Sequence, residues 1–327
     1  MDSASPPFSR DELLDLMHQE ALPFAEREAL LWQYQNAHNP VLRAYCDALG
    51  TTEPISLPIA FFKQYPLQTK TWEPEHRFAS SGTTGQQPSQ HLVRSLADYG
   101  ANTLQGFHRF FPEQRYVILG LLPSYLERGN SSLVYMVQHW IQTFGLPGSG
   151  FFLDDFEALR KAVRTAEANG QPILLIGVAF ALLDLAEDAA LPLPPNTIVL
   201  ETGGMKGRRK ELVREALHRR LKASFGLPTI YSEYGMTELL SQAYSDERGR
   251  FRPSPTLRAW VSDVHLDRLV QPPGIVGRLH LVDLANLDSC GFIATDDLGR
   301  MHPDGTFEVL GRLDTAEMRG CSLMYEG

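Results

Sequence analysis

The sequence predicts an α/β protein with parallel strands and crossover helices, followed by a smaller barrel-like β region. Three observations carry this. Apolar β-type runs alternate with helical patterns from Tyr116 to Phe225, which indicates parallel strands joined by crossovers. After Gly249, short runs are separated by Pro253, Pro272-Pro273-Gly274, Asp283, Gly291 and Asp304-Gly305, a texture of antiparallel strands. With 327 residues, 43% of them hydrophobic and 21% charged, the chain can bury a large core.

In chain order, the spacing of Leu13, Leu14, Met17, Leu22, Phe24, Leu30, Leu31, Tyr34 and Leu42 predicts amphipathic helices from Arg10 to Leu49, broken near Pro23 and Pro40. Pro54, Pro58 and Pro66 mark an irregular connector through Phe61 and Lys63, ending at a strand, Arg77-Phe78-Ala79. Three strand–helix pairs follow: 116–122 with 131–144, 173–177 with 178–189, and 197–200 with 207–225. The expected division is a helical subdomain at 1–50, an α/β core at 51–248 and a β-rich subdomain at 249–327.

A net charge of −9 argues against binding nucleic acid, whose partners carry a basic stripe. The one basic cluster, Lys206, Arg208, Arg209 and Lys210, reads as a solvated helix face or an anion contact. The apolar run Ile173 to Ala186 falls short of the roughly 20 residues of a membrane span, and Asp184 interrupts it. Met1 to Arg10 has no apolar core, so no signal peptide is expected. Cys46, Cys290 and Cys321 are odd in number and far apart. They suggest no disulfide framework, and a reducing, cytoplasmic setting fits.

Three segments can carry chemistry. In Ser80-Ser81-Gly82-Thr83-Thr84-Gly85, two glycines, four hydroxyls and exposed N–H groups can surround a phosphate, although no Gly-Lys-Ser/Thr closes it as a Walker loop. A plain Ser/Gly/Thr surface turn is the alternative. In Tyr231-Ser232-Glu233-Tyr234-Gly235-Met236-Thr237-Glu238, an aromatic ring can stack a base, a hydroxyl can bond a phosphate and a carboxylate can hold Mg2+. The same string fits a strand running into a helix capped by Thr237. In Thr295-Asp296-Asp297-Leu298-Gly299-Arg300, followed by Gly311-Arg312-Leu313-Asp314, a carboxylate can accept ribose hydroxyls and a guanidinium can neutralise phosphate. Asp-Asp-Leu-Gly also reads as a hairpin turn.

In this order and spacing the segments resemble the adenylate-forming superfamily of acyl- and aryl-CoA ligases, firefly luciferase and peptide-synthetase adenylation domains. The resemblance implies the fold of their large N-terminal domain, and it implies ATP and Mg2+. It makes Ser80, Ser81, Gly82, Thr83, Thr84 and Gly85 the phosphate-binding loop. Tyr234, Gly235, Thr237 and Glu238 then contact adenine, phosphate and Mg2+, with Glu238 the metal ligand. Asp297 holds the ribose, with Arg312 near it, and Glu201-Thr202-Gly203-Gly204 lies at a Gly-rich strand end against adenine. Two departures stand out: Pro88 is followed by Ser89 and Gln90 where the family has lysine, and only thirteen residues follow Asp314, where the family has a C-terminal domain with its adenylation lysine.

A narrower resemblance covers about residues 50 to 327. The segments 55–63, Gln87-Pro88-Ser89-Gln90-His91, Thr202-Gly203-Gly204-Met205-Lys206-Gly207 and Arg319-Gly320-Cys321-Ser322-Leu323 resemble the acyl-protein synthetase family, which includes the synthetase subunit of the bacterial bioluminescence fatty-acid reductase. It implies activation of a fatty or other carboxylate as an acyl-adenylate, then transfer to an enzyme cysteine and on to an acyl-protein reductase or acceptor protein. Cys321, in the last seven residues, is the expected acceptor, with an incidental thiol as the alternative. Lys206, or Mg2+ on Glu238, is the expected cation at the α-phosphate, and Lys206 also reads as a helix-start residue. His91 and His139 are candidates to line an acyl pocket, and Val134-Tyr135-Met136-Val137 with Trp140 fit either a fatty-acyl tunnel or a core helix. A phenylacetate-type CoA ligase lacking its second domain, or a non-catalytic nucleotide-binding subunit, remain open readings.

Overall fold

The computed structural model describes residues 7–80, 87–122, 129–188, 190–203, 214–266 and 269–313. The chain begins with helices α1 (Arg10–His18), α2 (Phe24–His38) and α3 (Pro40–Ala48). Their ends follow from local chemistry. The Ser9 hydroxyl accepts the Glu12 N–H while the Glu12 carboxylate accepts the Ser9 N–H, a reciprocal cap. Pro23 and Pro40 fall at helix starts, where a missing N–H costs no bond; Asn39 Oδ1 caps α3 by accepting the N–H groups of Val41 and Leu42, each at 3.1 Å.

The connector is more ordered than its prolines suggest. It contains strand β1 (Leu57–Pro58) and the short helix α4 (Phe61–Gln64), then an antiparallel hairpin of β2 (His76–Ala79) and β3 (Gln90–Val93). Helix α5 (Leu96–His108) follows, its first turn capped by Ser95.

The expected alternation is present. Strands β4 (Val117–Leu121), β5 (Gly150–Phe151), β6 (Ile173–Val178), β7 (Ile198–Thr202) and β8 (Tyr231–Tyr234) run parallel, with α6 (Ser132–Phe144), α7 (Phe156–Ala168), α8 (Ala179–Asp188) and α9 (Arg214–Phe225) between them. Every residue of β4 and β6 is buried, as strands covered on both faces require. Antiparallel strands complete the sheet: β9 (Ala243–Ser245), β10 (Phe251–Pro253), β11 (Leu257–Ser262), β12 (Val276–Asp283), β13 (Phe292–Met301) and β14 (Phe307–Arg312). A tight turn joins β9 to β10, with Asp246 N–H donating to the Arg250 carbonyl at 2.9 Å.

Parallel and antiparallel parts form one ladder, β5-β4-β6-β7-β8-β9-β10-β14-β13-β12-β11, with β1 added beside β13. On a flat sheet β8 and β13, four strands apart, would lie about 19 Å from each other. The Tyr234 hydroxyl on β8 is nevertheless 2.8 Å from Asp297 Oδ2 on β13. The sheet therefore curls through β8-β9-β10-β14-β13, and this curl is the barrel-like region. The rings of Tyr234, Phe251 and Phe307 fill it, with centroids 5.6 to 5.7 Å apart.

Two apolar cores result. One packs α5 to α9 on the parallel strands, and it absorbs Met136, Val137 and Trp140, so these residues of α6 are core. The other packs α1 to α3 against the antiparallel strands. Gln35 ties that junction: its amide donates to the carbonyls of Asn286 and Leu287 at 2.8 and 3.1 Å, and its oxygen accepts the Gly291 N–H. Among the described residues no helix is long and apolar enough to cross a membrane.

Candidate active site

The carboxyl ends of β7 and β8 carry two buried acids on opposite faces of the sheet. Glu201 lies beside Ser232 and Thr202 beside Glu233 in the parallel register, so alternation sends each pair to its own face. The Ser232 hydroxyl donates to Glu201 Oε1 at 2.7 Å, and Arg214 Nε lies 3.5 Å from the same oxygen. His218 Nε2 approaches Ser232 Oγ at 3.1 Å. Glu233 has only the Thr202 hydroxyl, and no cation among the described residues. Burial pushes its carboxyl up to about 7; the Thr202 bond opposes that, and Glu201 adds to it.

Gly235, one residue past β8, is exposed, and no left-handed backbone accounts for it. A Cβ there would meet Glu233 Oε1 at 2.3 Å, so the glycine gives the acid its room.

Across the curl, the Tyr234 hydroxyl donates to Asp297 Oδ2 and Arg312 Nε lies 3.5 Å from Asp297 Oδ1. Burial raises the Asp297 pKa against the pull of Tyr234 and Arg312. The Tyr234 phenol is also held well above its ordinary range, so it stays a donor. A carboxylate has about four lone-pair sites. Asp297 retains capacity for further hydroxyl donors, and mostly exposed Arg312 keeps its outer N–H groups toward solvent. The Asp-Asp-Leu-Gly segment is not a hairpin turn: it lies within β13, beside a register shift at Leu298/Gly299.

After Gly235 the chain turns and does not enter a helix; the Leu239 N–H closes the turn on the Met236 carbonyl at 3.1 Å. Both sides of this turn are held. His91 Nδ1 lies 2.8 Å from the Thr237 carbonyl and Nε2 lies 3.0 Å from Asn286 Oδ1, while Asn286 Nδ2 donates to the Glu238 carbonyl at 2.9 Å. The Asp283 carboxylate accepts the Leu240 and Ser241 N–H groups at 2.7 and 3.1 Å.

A family model described as "Acyl-protein synthetase, LuxE" matches residues 151–326. The chain belongs to the LuxE acyl-protein synthetase family. No curated protein is similar enough in sequence to match this LuxE-family chain. Solved structures share its fold. ATP-bound MatB from Rhodopseudomonas palustris is 18% identical with TM-score 0.52, over 72% of this chain and 47% of that one. O-succinylbenzoate coenzyme A synthetase (MenE) from Bacillus subtilis, in complex with ATP and magnesium ion, is 18% identical with TM-score 0.52, over 72% and 49%. The long-chain-fatty-acid-CoA ligase FadD1 from Archaeoglobus fulgidus is 16% identical with TM-score 0.53, over 76% and 53%. The chain spans about half the length of each.

In the LuxE-family chain, Tyr234, Asp297 and Arg312 come together, and Gly235, Thr237 and Glu238 follow on the same strand end. Gly203 closes β7 with φ +68°, a left-handed conformation suited to glycine. Ser80 closes the β2–β3 hairpin: its N–H donates to the Ser89 carbonyl at 3.0 Å and its hydroxyl accepts the Ser89 N–H at 2.9 Å. Ser81, Gly82, Thr83, Thr84, Gly85, Gly204, Lys206 and Cys321 lie outside the described residues. His91 does not line a pocket: it is wholly buried, with its pKa lowered by burial, and holds the Thr237 backbone. His139 stacks on Tyr135 and covers Gly100. Sequence reasoning missed Glu233, Asp283 and Asn286. An acid two residues before a glycine, with no charge partner nearby in sequence, was the available signal for the first.

Proposed function

We propose that this chain uses ATP to activate a carboxylic acid as an acyl-adenylate and then carries the acyl group on Cys321 toward a partner protein. The observation that carries the reading is the convergence of Tyr234, Asp297 and Arg312 from distant strands onto the carboxyl end of β8, where a sheet of this kind places its ligand. Membership of the LuxE family supports it. Asp297 would take the ribose hydroxyls, Arg312 a phosphate charge, and Thr237 a phosphate oxygen. Glu238 suits Mg2+, which needs only one or two protein carboxylates when phosphates and water supply the rest; the ion would neutralise charge on the leaving pyrophosphate. The loop Ser80 to Gly85, Gly203, Gly204 and Lys206 complete the proposed phosphate and adenine contacts. In this reading 51–248 supplies most of the nucleotide contacts, 249–327 supplies Asp297, Arg312 and the acceptor thiol, and 1–50 braces the second core.

The substrate carboxylate oxygen attacks the α-phosphorus, the bond to pyrophosphate breaks and pyrophosphate leaves. The Cys321 thiolate then attacks the acyl carbon and releases AMP. Cys46 and Cys290 are poor alternatives because both are buried, and burial pushes the Cys290 thiol up to about 12.

Wild type and Cys321→Ser, incubated with ATP, Mg2+ and radiolabelled fatty acids of several lengths, decide the matter on a denaturing gel. Hydroxylamine-sensitive label on wild type alone is the expected result. Pyrophosphate release without protein label would move the acceptor to CoA or another protein. Neither label nor pyrophosphate would overturn acyl activation.

A further inference from the structure

Away from the candidate active site, a cavity of about 230 Å³ opens between the start of α2, the end of α5 and β10. Arg27, Arg109 and Arg252 line it, and Glu20 is the one acid among its described lining residues. Glu20 reaches Arg109 only at 3.7 Å. Three guanidinium groups against one carboxylate leave two positive charges in surplus, within a chain of net charge −9.

Arg27 makes this more than a chance grouping. It is 5% exposed, and its one described hydrogen bond runs from Nη1 to the Met17 carbonyl at 2.8 Å. Its buried Nε has no partner, and no carboxylate lies within ion-pair distance among the described residues. Nearby Arg258 is already paired with Glu28 at 2.9 Å and adds repulsion. Glu20 offers Arg27 a counter-charge, but beyond ion-pair distance and shared with Arg109; a guanidinium taken out of water without a close counter-charge is costly, and a bound anion offsets that cost.

We propose that this cavity binds the phosphate group of a small molecule. A phosphate dianion matches the two surplus charges, and forked guanidinium donors match its oxygens. The place is separate from the candidate nucleotide contacts. Arg252 stands opposite Tyr244, and Tyr244 opposite Glu233, so two strand spacings, about 10 Å, divide the cavity from the acid at the end of β8. The proposal does not depend on the acyl-activation reading.

Inorganic phosphate is the probe, titrated into the full chain at fixed ionic strength and followed by calorimetry. Arg109 and Arg252 are both solvent-exposed, so Arg109→Gln and Arg252→Gln should keep the fold, which circular dichroism checks. Each should weaken phosphate binding tenfold or more, whereas Arg312→Gln, at the proposed nucleotide phosphate contact, should leave it as in wild type. Arg27→Gln should abolish the phosphate-dependent rise in melting temperature. Unchanged affinity in both exposed-arginine variants would place phosphate elsewhere and overturn the proposal, as would an absence of phosphate binding by wild type at millimolar concentration.

Discussion

Glu233 and Gly235 act as one unit, and substitution of either has to be judged through the other. A methyl at Gly235 forces the Glu233 carboxylate from its place at the strand end. Gly235→Ala should therefore cost about 1–3 kcal/mol in stability, the usual effect of overpacking, and reduce pyrophosphate formation more than tenfold. In a Glu233→Ala background the same change should cost little stability. Denaturant titration of all four proteins in the cycle measures that coupling.

The raised Glu233 pKa gives a second residue-scale expectation. The folded protein keeps the proton from 4.5, the ordinary value, up to about 7, a range where the unfolded chain has lost it. The unfolded state then binds fewer protons, so this group's contribution to stability is complete below 4.5 and is lost as pH rises through about 7. Glu233→Gln should flatten stability against pH across that window in a series of chemical denaturations. A fall as steep in the variant as in wild type would count against Glu233. At this scale the sequence showed the motif residues but not what burial does to them. Tyr234, Asp297 and Arg312 were visible as types at spacings, whereas the protonation of Glu233 depends on neighbours from β7 and the packing around β8.

At the scale of elements, β4, β6 and β7 with α6, α8 and α9 were legible because buried strands and amphipathic helices write their periods into the chain, whereas β5 and α7 were not anticipated. Nor were β3 and β1: the two residues of β1 carry no alternation, and in β3 the last three of four residues are all buried, so no period is written. Their importance is positional. β3 follows the segment closed by Ser80 and Ser89, and it places His91 against Thr237. A neutral His91 donates its one N–H to either the Thr237 carbonyl or Asn286 Oδ1, so His91→Ala leaves that acceptor without its donor and should cost about 1–3 kcal/mol. It should also raise the KM for ATP several-fold while kcat changes less. Gln35→Leu, at the seam between α2 and the 283–291 segment, should destabilise by a similar amount with little effect on that KM, since Gln35 meets the Asn286 backbone carbonyl and not the Asn286 side chain that holds the Glu238 carbonyl.

At the scale of the whole molecule, the governing feature is the curl that turns a long ladder back on itself. Pattern reasoning saw antiparallel texture after Gly249 but could not find that β10 pairs with β14, which depends on contacts distant in sequence, or that the β13–β14 hairpin shifts register at Leu298/Gly299, an irregularity that no period records. Phe307 sits in the bend, fully buried against Tyr234 and Phe251. Phe307→Ala should cost about 3–5 kcal/mol, as large-to-small changes in aromatic cores do. It should also loosen the Tyr234–Asp297 contact, so nucleotide affinity should fall at temperatures where the fold persists. Fluorescence titration with an ATP analogue below the melting transition tests this.

The turn between β9 and β10 has a consequence of a different kind. Residues 246 to 248 are exposed, and the chain before them carries Tyr234, Gly235 and Thr237 while the chain after them carries Asp297 and Arg312. A cut at that turn divides the candidate ligand contacts between two polypeptides. On the proposed reading neither fragment alone would hold the full set of nucleotide contacts, and a nucleotide held by both would act as molecular glue. Fused to a pair of test proteins, such halves would form a split sensor whose signal is nucleotide capture.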